Sequence, residues 1–573
     1  MHTADWIVLT GYLGGTVLVG VLLGQLVKDS SDFFAAGERS PWWISGLSAF
    51  MTMFSANTFV VWGGVAFKHG MVAIMINLMY GVAALLAGYF VAGRWKQLGI
   101  RTPAEFVDKR FGTSALHFYT WFMLTLRVVG SAGALYAIAK LIIAVVGGSD
   151  AATTWLNWII IAFGLIIVVY TMIGGLWAVL MTDTLQFIIL NLAVIFVIPL
   201  TLMKMGSPSE IISAAPEGFW SLTSGPKYTW FFLLGWLAIH YFMIGAEWAF
   251  VQRYLCVPSA RDARKSTYLF GVLYLVSPFL WLLPPLLWRI SNPIPDGATE
   301  AEITSMAENA YILSCKSVLP AGMLGLMLAA MFSATASLVS SQLNVFSGVL
   351  TSEIYRAFRP DAGESQLVRI GRAFTVLLGV LITAIALAIP FMGGAERVIV
   401  AATELMVVPL LAPMLWGLFN SRVPTRALWL TAGICFPLGL LFRFGLPDGD
   451  GGLLIWLHMN DKLIETFIGV LLPLIITAGV ALSAHDDSPG WARVAALERE
   501  PERTRERPKA SHIPALVVGL SMGVCSLMMA ALVFVNDENR LTMAVFALVL
   551  AVISGATFLV ARRTRDEPEK PEG

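Results

Sequence analysis

The sequence has few charged residues for its length. Asp, Glu, Lys and Arg together make up 13% of the 573 residues, whereas hydrophobic residues make up 57%. A soluble domain usually needs about 25% charged residues to cover its surface. The composition therefore excludes an ordinary soluble protein and indicates a membrane protein with several spans.

Cysteine and the common enzyme motifs are also scarce. The four cysteines are scattered and fit neither a zinc spacing nor a convincing disulfide pair. The segment Gly519-Leu-Ser-Met-Gly523 matches a nucleophile-elbow pattern, but it lies inside an apolar run and not at a strand-to-helix turn. There is no glycine-rich phosphate loop with a lysine. We therefore expect neither an enzymatic activity nor a cofactor or resident metal ion.

Apolar runs are what the chain has in excess, and they recur from residues 6–27 to residues 541–560. A helix of about 20 apolar residues crosses the roughly 30 Å hydrocarbon core of a bilayer. By this length criterion the sequence predicts an all-α protein with about 15 transmembrane helices. The first run lacks a basic leader and a small-residue cleavage site, which favours a retained helix over a signal peptide.

Lysine and arginine are concentrated in alternate loops. They cluster within residues 94–110, 253–265, 356–372 and 422–426, whereas the loops near 147–153 and 446–452 hold few or none. Short basic loops stay on the cytoplasmic side of a membrane during insertion. This pattern predicts a multi-pass protein of the cytoplasmic membrane with its N-terminus outside and its C-terminus in the cytoplasm.

The number of spans suggests an internal duplication, in which two five-helix units insert with opposite orientation around a site at the bilayer midplane. The first unit would cover residues 41–203 and the second residues 228–420. The other expected segments are an extra span and loop at 1–40, an extracellular loop at 204–227, accessory helices at 421–484, a charged cytoplasmic segment at 485–511, two C-terminal helices at 512–562 and a disordered tail at 563–573.

Each unit is expected to open with an interrupted helix and to contain an unusually long third helix. Small and hydroxyl residues interrupt the first apolar run between Ser48 and Thr58, and Gly245-Ala-Glu-Trp248 interrupts the corresponding run of the second unit. A broken helix leaves carbonyl and amide groups free to bind a cation or an anionic group. The alternative is that the small residues only allow neighbouring helices to pack closely.

Polar residues inside the apolar runs point to a buried site. Asp183 follows a glycine pair, and a carboxylate at this depth must be surrounded by protein or water. Arg127 is another ionisable residue in an apolar run, for which we expect pairing or water access. A stripe of hydroxyl and amide groups follows one side of the long helix near residues 320–355 and predicts either a cation site or hydrogen bonds between helices. Its members are Ser333, Ser337, Ser340, Ser341, Asn344 and Ser347.

Five segments of the chain resemble the sodium/solute symporter family. Residues 170–186 are similar to a family signature, and further similarities lie, in the family's order, at residues 32–43, 102–112, 251–265 and 343–355. The resemblance implies an all-α, five-plus-five inverted-repeat core with one additional N-terminal helix and several additional C-terminal helices. It also implies alternating access and symport of a small organic solute with a cation, which we expect to be Na⁺.

The resemblance also implies a sodium site. Its ligands would be the backbone carbonyls of Met51, Phe54 and Ala334 and the hydroxyl of Ser337, with Asp183 supporting cation handling. Leu338 stands where many family members have a second hydroxyl, a loss worth about 1 to 3 kcal/mol. Proton coupling through Asp183, or a shifted site that uses Ser333 or Ser341, therefore remains open.

The expected solute site involves both interrupted helices. Positions that contact sugar in the galactose-transporting branch of the family carry other groups here, which argues against a galactose-like specificity. Glu247 and Trp248 would bind a polar or cationic group by charge and by an aromatic face, unless Glu247 pairs with Arg or Lys of another helix. The full set of expected solute-binding residues is Asn57, Thr58, Asn77, Tyr80, Glu247 and Trp248.

Three functional alternatives share this fold: a proton-coupled symporter, a solute sensor without coupled transport, and a passive channel. The expected partners are a small organic solute and the lipid bilayer, with no nucleic acid. The sequence leaves the identity of the solute and the oligomeric state open.

Overall fold

The structure is a computed structural model that describes residues 2–24, 27–146, 152–205, 207–225, 227–392, 395–445, 456–457, 460–499, 511–534 and 540–566. Within these ranges the regular structure is helical, apart from one antiparallel bridge between Ser224 and Tyr228. Eleven helices are long and apolar enough to cross a membrane, and two bent helix pairs bring the spans to 13. Helices suit this environment because each satisfies its own backbone hydrogen bonds without water.

The first unit begins with a broken helix, as predicted. Helix α2 (Trp42–Met53) and helix α3 (Thr58–His69) meet at an angle of 64°, after the extra N-terminal helix α1 (Thr3–Leu23). The unit continues with helices α4 (Val72–Gln97), α5 (Pro103–Phe111), α6 (Thr113–Val146) and α7 (Ala152–Met205). Helix α6 is the expected long third helix.

Helix α7 contains two spans joined at a glycine. Its 54 residues would extend about 80 Å as a straight helix, well beyond the hydrocarbon core. Gly175 breaks the helix with a φ of +54°, and a Cβ built there would lie 2.5 Å from the carbonyl oxygen of Phe33. Only glycine can combine this backbone conformation with so close an approach. The glycine pair singled out in the sequence therefore separates the fourth and fifth spans of the unit.

The second unit repeats this plan. Helices α8 (Trp230–Ala246) and α9 (Trp248–Leu255) meet at 50° on either side of Glu247. They are followed by α10 (Ala260–Ser291), the peripheral helix α11 (Glu300–Val318), the long α12 (Met323–Phe358), α13 (Glu364–Ala388) and α14 (Ala395–Gly417). The five-plus-five core is thus confirmed.

The remaining helices lie outside the two units. They are α15 (Thr425–Phe444), α16 (Asp461–Ser483), α17 (Pro489–Arg499), α18 (Ile513–Leu532) and α19 (Arg540–Asp566). Counting α7 as two spans and including α14 gives the approximate total of 15 that the sequence predicted. Residues 500–510 of the predicted charged segment and residues 567–573 of the predicted tail lie outside the described residues.

The described part of the charged segment is docked on the core. Helix α17 packs against α5, where the buried Arg110 donates hydrogen bonds to Ser488, to the carbonyl of Gly417 at 2.9 Å and to the carbonyl of Asn420 at 2.9 Å. Burial lowers the pKa of Arg110 to about 10, so the guanidinium stays charged at neutral pH. Ser488 and Gly490 of the predicted charged segment are therefore buried against Arg110.

The loops gather on two opposite faces of the helix bundle. On one face, Lys96 pairs with Glu38 at 2.5 Å, and Thr102 binds Glu353 at 2.7 Å. On the other face, Asp5 near the N-terminus accepts hydrogen bonds from the amides of Gly322 and Gly325 at 2.8 and 3.0 Å. We call these the basic-loop face and the Asp5 face. The amide of Ser511, just before α18, donates to the carbonyl of Arg39 on the basic-loop face.

Candidate cation and solute site

The break between α2 and α3 lies against the long helix α12. Phe54 is extended (φ −93°, ψ 139°), and its amide donates to the carbonyl of Met51 at 3.0 Å. Two residues further on, the amide of Ala56 donates to the Thr335 hydroxyl of α12 at 3.0 Å. The Thr52 and Ser341 hydroxyls lie 3.3 Å apart on the other side of the break. The break therefore contacts α12 on both sides of Ser337.

The residues expected to bind sodium are all buried at this contact. Met51, Phe54, Ala334 and Ser337 each have 0% exposure. The structure thus brings the two expected ligand segments together. The contacts of Thr335 with Ala56 and of Ser341 with Thr52, on either side of Ser337, hold these two segments side by side.

Two buried oxygens at this contact lack a hydrogen-bond partner. They are the hydroxyl oxygen of Ser337 and the Oδ1 atom of Asp183 in α7. The Ser337 hydroxyl interacts with the Asp183 carboxylate, although their geometry falls outside the limits of a hydrogen bond. Buried polar atoms are nearly always satisfied in folded proteins, so a neighbouring pair without partners is unusual.

The other carboxylate oxygen of Asp183 belongs to a dense polar network around Arg253 of α9. The Oδ2 atom accepts a hydrogen bond from Ser48 and lies 3.6 Å from Nη2 of Arg253. The same Nη2 donates to the Ser341 hydroxyl at 2.5 Å, and Nε donates to Ser48 at 3.2 Å. Asp183 and Arg253 are both fully buried. The guanidinium therefore connects α2, α7, α9 and α12.

Arg253 was expected in a basic cytoplasmic loop, and this expectation is wrong. The residue lies inside α9 and its counter-ion is on α7, 70 positions earlier in the chain. A count of loop charges cannot detect such a pair, because the pair depends on contact between distant helices. Sequence reasoning consequently missed Arg253 as a site residue.

Most of the hydroxyl stripe on α12 makes ordinary hydrogen bonds. Ser333 bonds to the Tyr12 hydroxyl of α1 at 2.6 Å, and Ser340 donates to the carbonyl of Ser337 at 3.2 Å. Asn344 accepts from Gln252 at 2.8 Å. Interhelical and intrahelical bonding therefore accounts for most members of the stripe, as the alternative interpretation held. Ser337 is the member that this interpretation leaves unexplained.

Glu247, at the second break, is paired within the protein. Its Oε1 atom lies 3.0 Å from Nε of Arg127 in α6 and accepts a hydrogen bond from Gln342 of α12 at 3.1 Å. Glu247 is thus paired with an arginine of another helix, which was the alternative to solute binding in the sequence analysis. Trp248 is buried, its ring lies 5.9 Å from that of Phe346, and its indole N–H has no partner.

The other expected solute residues lie along the first unit. Asn77 donates its side-chain amide to the carbonyl of Ala73 in its own helix, and Thr58 accepts from the amide of Ser55. Asn57 is half-buried at the start of α3. Tyr80 joins an aromatic cluster that sequence reasoning missed and that includes Phe50, Phe54, His240, Tyr274 and Trp281.

The aromatic cluster extends across both units. The ring of Tyr80 lies 3.9 Å from His240 of α8 and 5.3 Å from Tyr274 of α10, and Phe54 lies 4.2 Å from Trp281. The structure thus divides the expected solute residues into an aromatic group around Tyr80 and an ionic group around Glu247. No sequence period links the residues of the aromatic cluster, since they come from helices α2, α4, α8 and α10 and from the α2–α3 break.

Two broken helices in opposed five-helix units, joined by a polar network, define a secondary transporter of the inverted-repeat class. The family model for the sodium:solute symporter family matches residues 33–432, and the chain belongs to this family. Its members are transporters, and the chain is accordingly a multi-pass membrane protein that couples transport of a small solute to Na⁺.

Known proteins agree with this assignment. The chain is 26% identical to the sodium/glucose cotransporter of Vibrio parahaemolyticus, over 81% of this chain and 87% of that protein. It is 25% identical to the sodium/sialic acid symporter NanT of Aliivibrio fischeri, over 66% and 75% of the two chains. Among solved structures, an outward-open Na⁺-coupled sialic acid symporter matches with a TM-score of 0.67 and 21% identity, over 83% of this chain and 98% of that one. The structural match supports the fold.

Proposed function

We propose that this protein imports a small organic solute across the cytoplasmic membrane, with Na⁺ bound between the α2–α3 break and α12. The proposed ligands are the carbonyls of Met51, Phe54 and Ala334 and the hydroxyl of Ser337, with Asp183 beside them. The observation that supports this site most strongly is the pair of unpartnered oxygens on Ser337 and Asp183. Hard cations bind oxygen ligands, so Na⁺ would supply the partner that both atoms lack.

We also propose that Asp183 supplies the oxygen ligand that is missing because Leu338 has no hydroxyl. The Asp183 carboxylate interacts with Ser337, and its Oδ1 atom, which has no hydrogen-bond partner, offers a charged oxygen in place of the missing neutral one. The shifted sites are less favoured. A cation at Ser341 would lie beside the guanidinium of Arg253, and Ser333 is bonded to Tyr12. A proton on Asp183 would remove the negative charge that pairs with the fully buried Arg253, and leaving that guanidinium without a counter-ion is costly, which argues against proton coupling.

The orientation follows from charge. Because short basic loops remain in the cytoplasm, we assign the basic-loop face to the cytoplasm and the Asp5 face to the outside. The N-terminus is then outside and the C-terminus inside. The division into units at residues 41–203 and 228–420, with the flanking segments given above, accords with the positions of the two broken helices.

The solute site is proposed between the two breaks, with Asn57, Thr58, Asn77 and Tyr80 on one side and Glu247 and Trp248 on the other. Aromatic faces suit the apolar faces of a ring, and the Arg127–Glu247 pair suits hydrogen-bonding groups. The named relatives carry glucose or sialic acid. We therefore propose a polar organic solute that bears several hydroxyl or carboxyl groups.

Uptake into proteoliposomes tests the coupling. A panel of radiolabelled sugars, sugar acids and amino acids is offered with an inward Na⁺ gradient, with K⁺ in its place, and with a proton gradient. A Na⁺ symporter accumulates its solute above the external concentration only with Na⁺. A channel only equilibrates the solute, a sensor takes up none, and a proton symporter responds to the proton gradient; each of these results would contradict the proposal.

Ser337→Ala tests the site itself. Loss of one ligand should raise the Na⁺ concentration for half-maximal uptake about 5- to 150-fold, corresponding to about 1 to 3 kcal/mol. The solute concentration for half-maximal uptake at saturating Na⁺ should change little. Ser347→Ala is the matched control, because Ser347 is equally buried in α12 but donates to the carbonyl of Asn344. An unchanged Na⁺ titration in Ser337→Ala would remove Ser337 from the site.

A further inference from the structure

A cavity of about 280 Å³ lies between the N-terminal helix α1, the second half of α7 and the C-terminal helices α18 and α19. Most of its lining residues are apolar, and among the described lining residues none is charged. Representative members of this lining are Val19, Leu185, Ile189, Leu326, Met522 and Phe546. None of its described lining residues is one of the proposed cation-binding or solute-binding residues.

The mouth of the cavity faces the bilayer. Leu18 of α1 and Leu520 and Val524 of α18 line the cavity and are 58%, 53% and 57% exposed. Both helices pass the length and hydropathy test for membrane spans. Their exposed apolar side chains therefore face hydrocarbon, and the molecules available to enter between them are lipids.

Three of the polar groups in the cavity wall are already satisfied. Thr16 donates to the carbonyl of Tyr12 at 3.1 Å, and Thr182 donates to the carbonyl of Ala178 at 2.8 Å. The Tyr12 hydroxyl is bonded to Ser333. A buried water needs two to four polar partners, and this wall offers few. The lining therefore suits a hydrocarbon chain better than water or a polar ligand.

We propose that this cavity binds a lipid acyl chain, which enters sideways from the bilayer between α1 and α18. The head group stays outside, because the described lining holds no charge to receive it. Gly11 and Gly15 leave room for the chain along α1: no atom lies within 4 Å of a Cβ built at Gly15, and at Gly11 the only such atoms belong to the flexible side chain of Met528. The bound chain takes the place of the side chains that these glycines lack.

Cross-linking from lipid tests this site. The full-length protein is reconstituted with phosphatidylcholine that carries a diazirine near the end of one acyl chain, irradiated and mapped by peptide mass spectrometry. We expect labels to concentrate on the parts of α1 and α18 that line the cavity, several-fold above the lipid-facing surface of α13. Equal labelling of α13 would overturn the proposal.

Two neighbouring glycines supply a matched pair of variants. Gly15 lines the cavity and Gly14 does not, yet a Cβ at either position meets no atom within 4 Å. Gly15→Leu should fill the cavity and reduce its labelling several-fold, whereas Gly14→Leu should leave labelling unchanged. Equal labelling of the two variants would contradict the proposal. If Gly15→Leu does not fold, Gly11→Leu takes its place, because Gly11 lines the same cavity: reduced labelling supports the site, and unchanged labelling excludes it.

Discussion

The ion pairs of Glu247 with Arg127 and of Asp183 with Arg253 both involve a buried carboxylate, and they differ in the contacts that this carboxylate makes. Glu247 directs one carboxylate oxygen to both Arg127 and Gln342, at 3.0 and 3.1 Å. Asp183 lies farther from Arg253, at 3.6 Å, and keeps its other oxygen without a partner beside the equally unpartnered Ser337. The first pair is held by two contacts to one oxygen, whereas the second leaves a buried carboxylate oxygen without a hydrogen-bond partner.

The two pairs also differ in access. Arg127 remains 16% exposed, while Arg253 and Asp183 have no exposure. A partly exposed guanidinium can exchange its partners for solute groups. A fully enclosed pair can only be supplemented by a small ion that has shed its water. The comparison supports our proposal that the solute binds at the Glu247 pair and the cation at the Asp183 pair, and each prediction below tests one part of it.

The largest expected effect follows from breaking the enclosed pair. Arg253→Met leaves a buried carboxylate without its counter-ion and should lower the free energy of unfolding by about 3 to 5 kcal/mol. The double variant Arg253→Met with Asp183→Asn should regain most of this loss. Thermal unfolding of the purified proteins measures both.

Arg443→Met is the control for this prediction. Arg443 also pairs with a buried carboxylate, that of Glu465, but Arg443 is 28% exposed and Lys462 lies 2.8 Å from the same carboxylate. Its loss should therefore cost much less. A single Arg253 variant as stable as Arg443→Met would show that the Asp183 pair is not the one that holds the helices together.

A medium effect is expected at the Glu247 pair. Glu247→Gln removes the negative charge beside Arg127 but keeps the size of the side chain. The solute concentration for half-maximal uptake should change about tenfold, which corresponds to about 1.4 kcal/mol, and the Na⁺ dependence should not. Glu465→Gln, in the accessory helix α16, is the matched control. A shift in Na⁺ dependence without a change in solute dependence would reverse our assignment of the two pairs.

The smallest effect is expected next to the cation side. Tyr12→Phe removes the hydroxyl that bonds Ser333, one helical turn before Ser337, and should cost about 1 kcal/mol of stability. Ser333 keeps its hydrogen bond to the carbonyl of Ala329, so no group is left unsatisfied. Na⁺ uptake curves should move far less than in Ser337→Ala. An equal shift would mean that α1 takes part directly in the cation site.

The local sequence was enough to predict where the helices are interrupted. Small residues around Ser55 and Ala56, and the glycine pair at Gly174 and Gly175, disturb apolar runs whose length is otherwise diagnostic. The expected position of the long helices was confirmed for the same reason. These features depend on residues that are neighbours in the chain, and hydrophobic length and backbone freedom are local properties.

The partners of the buried charged residues could not be predicted from the sequence. Arg253 is close in the chain to the arginines at 261 and 264, with which it was grouped, and only its contact with Asp183 of α7 shows that it belongs to the buried site. The aromatic cluster around Tyr80 likewise draws on separate helices. Such contacts depend on how the helices are rotated and shifted relative to one another, which the order of residues along the chain does not reveal.

The sequence by itself determined that this chain crosses the membrane many times, that its apolar runs are interrupted near Phe54, Gly175 and Glu247, and that its family is that of sodium:solute symporters. Only the tertiary structure decided which charges neutralise each other and which oxygens remain free. The physical reason is that hydrophobicity acts residue by residue, whereas the energy of a buried charge depends on the atoms within a few ångströms of it, whatever their distance along the chain.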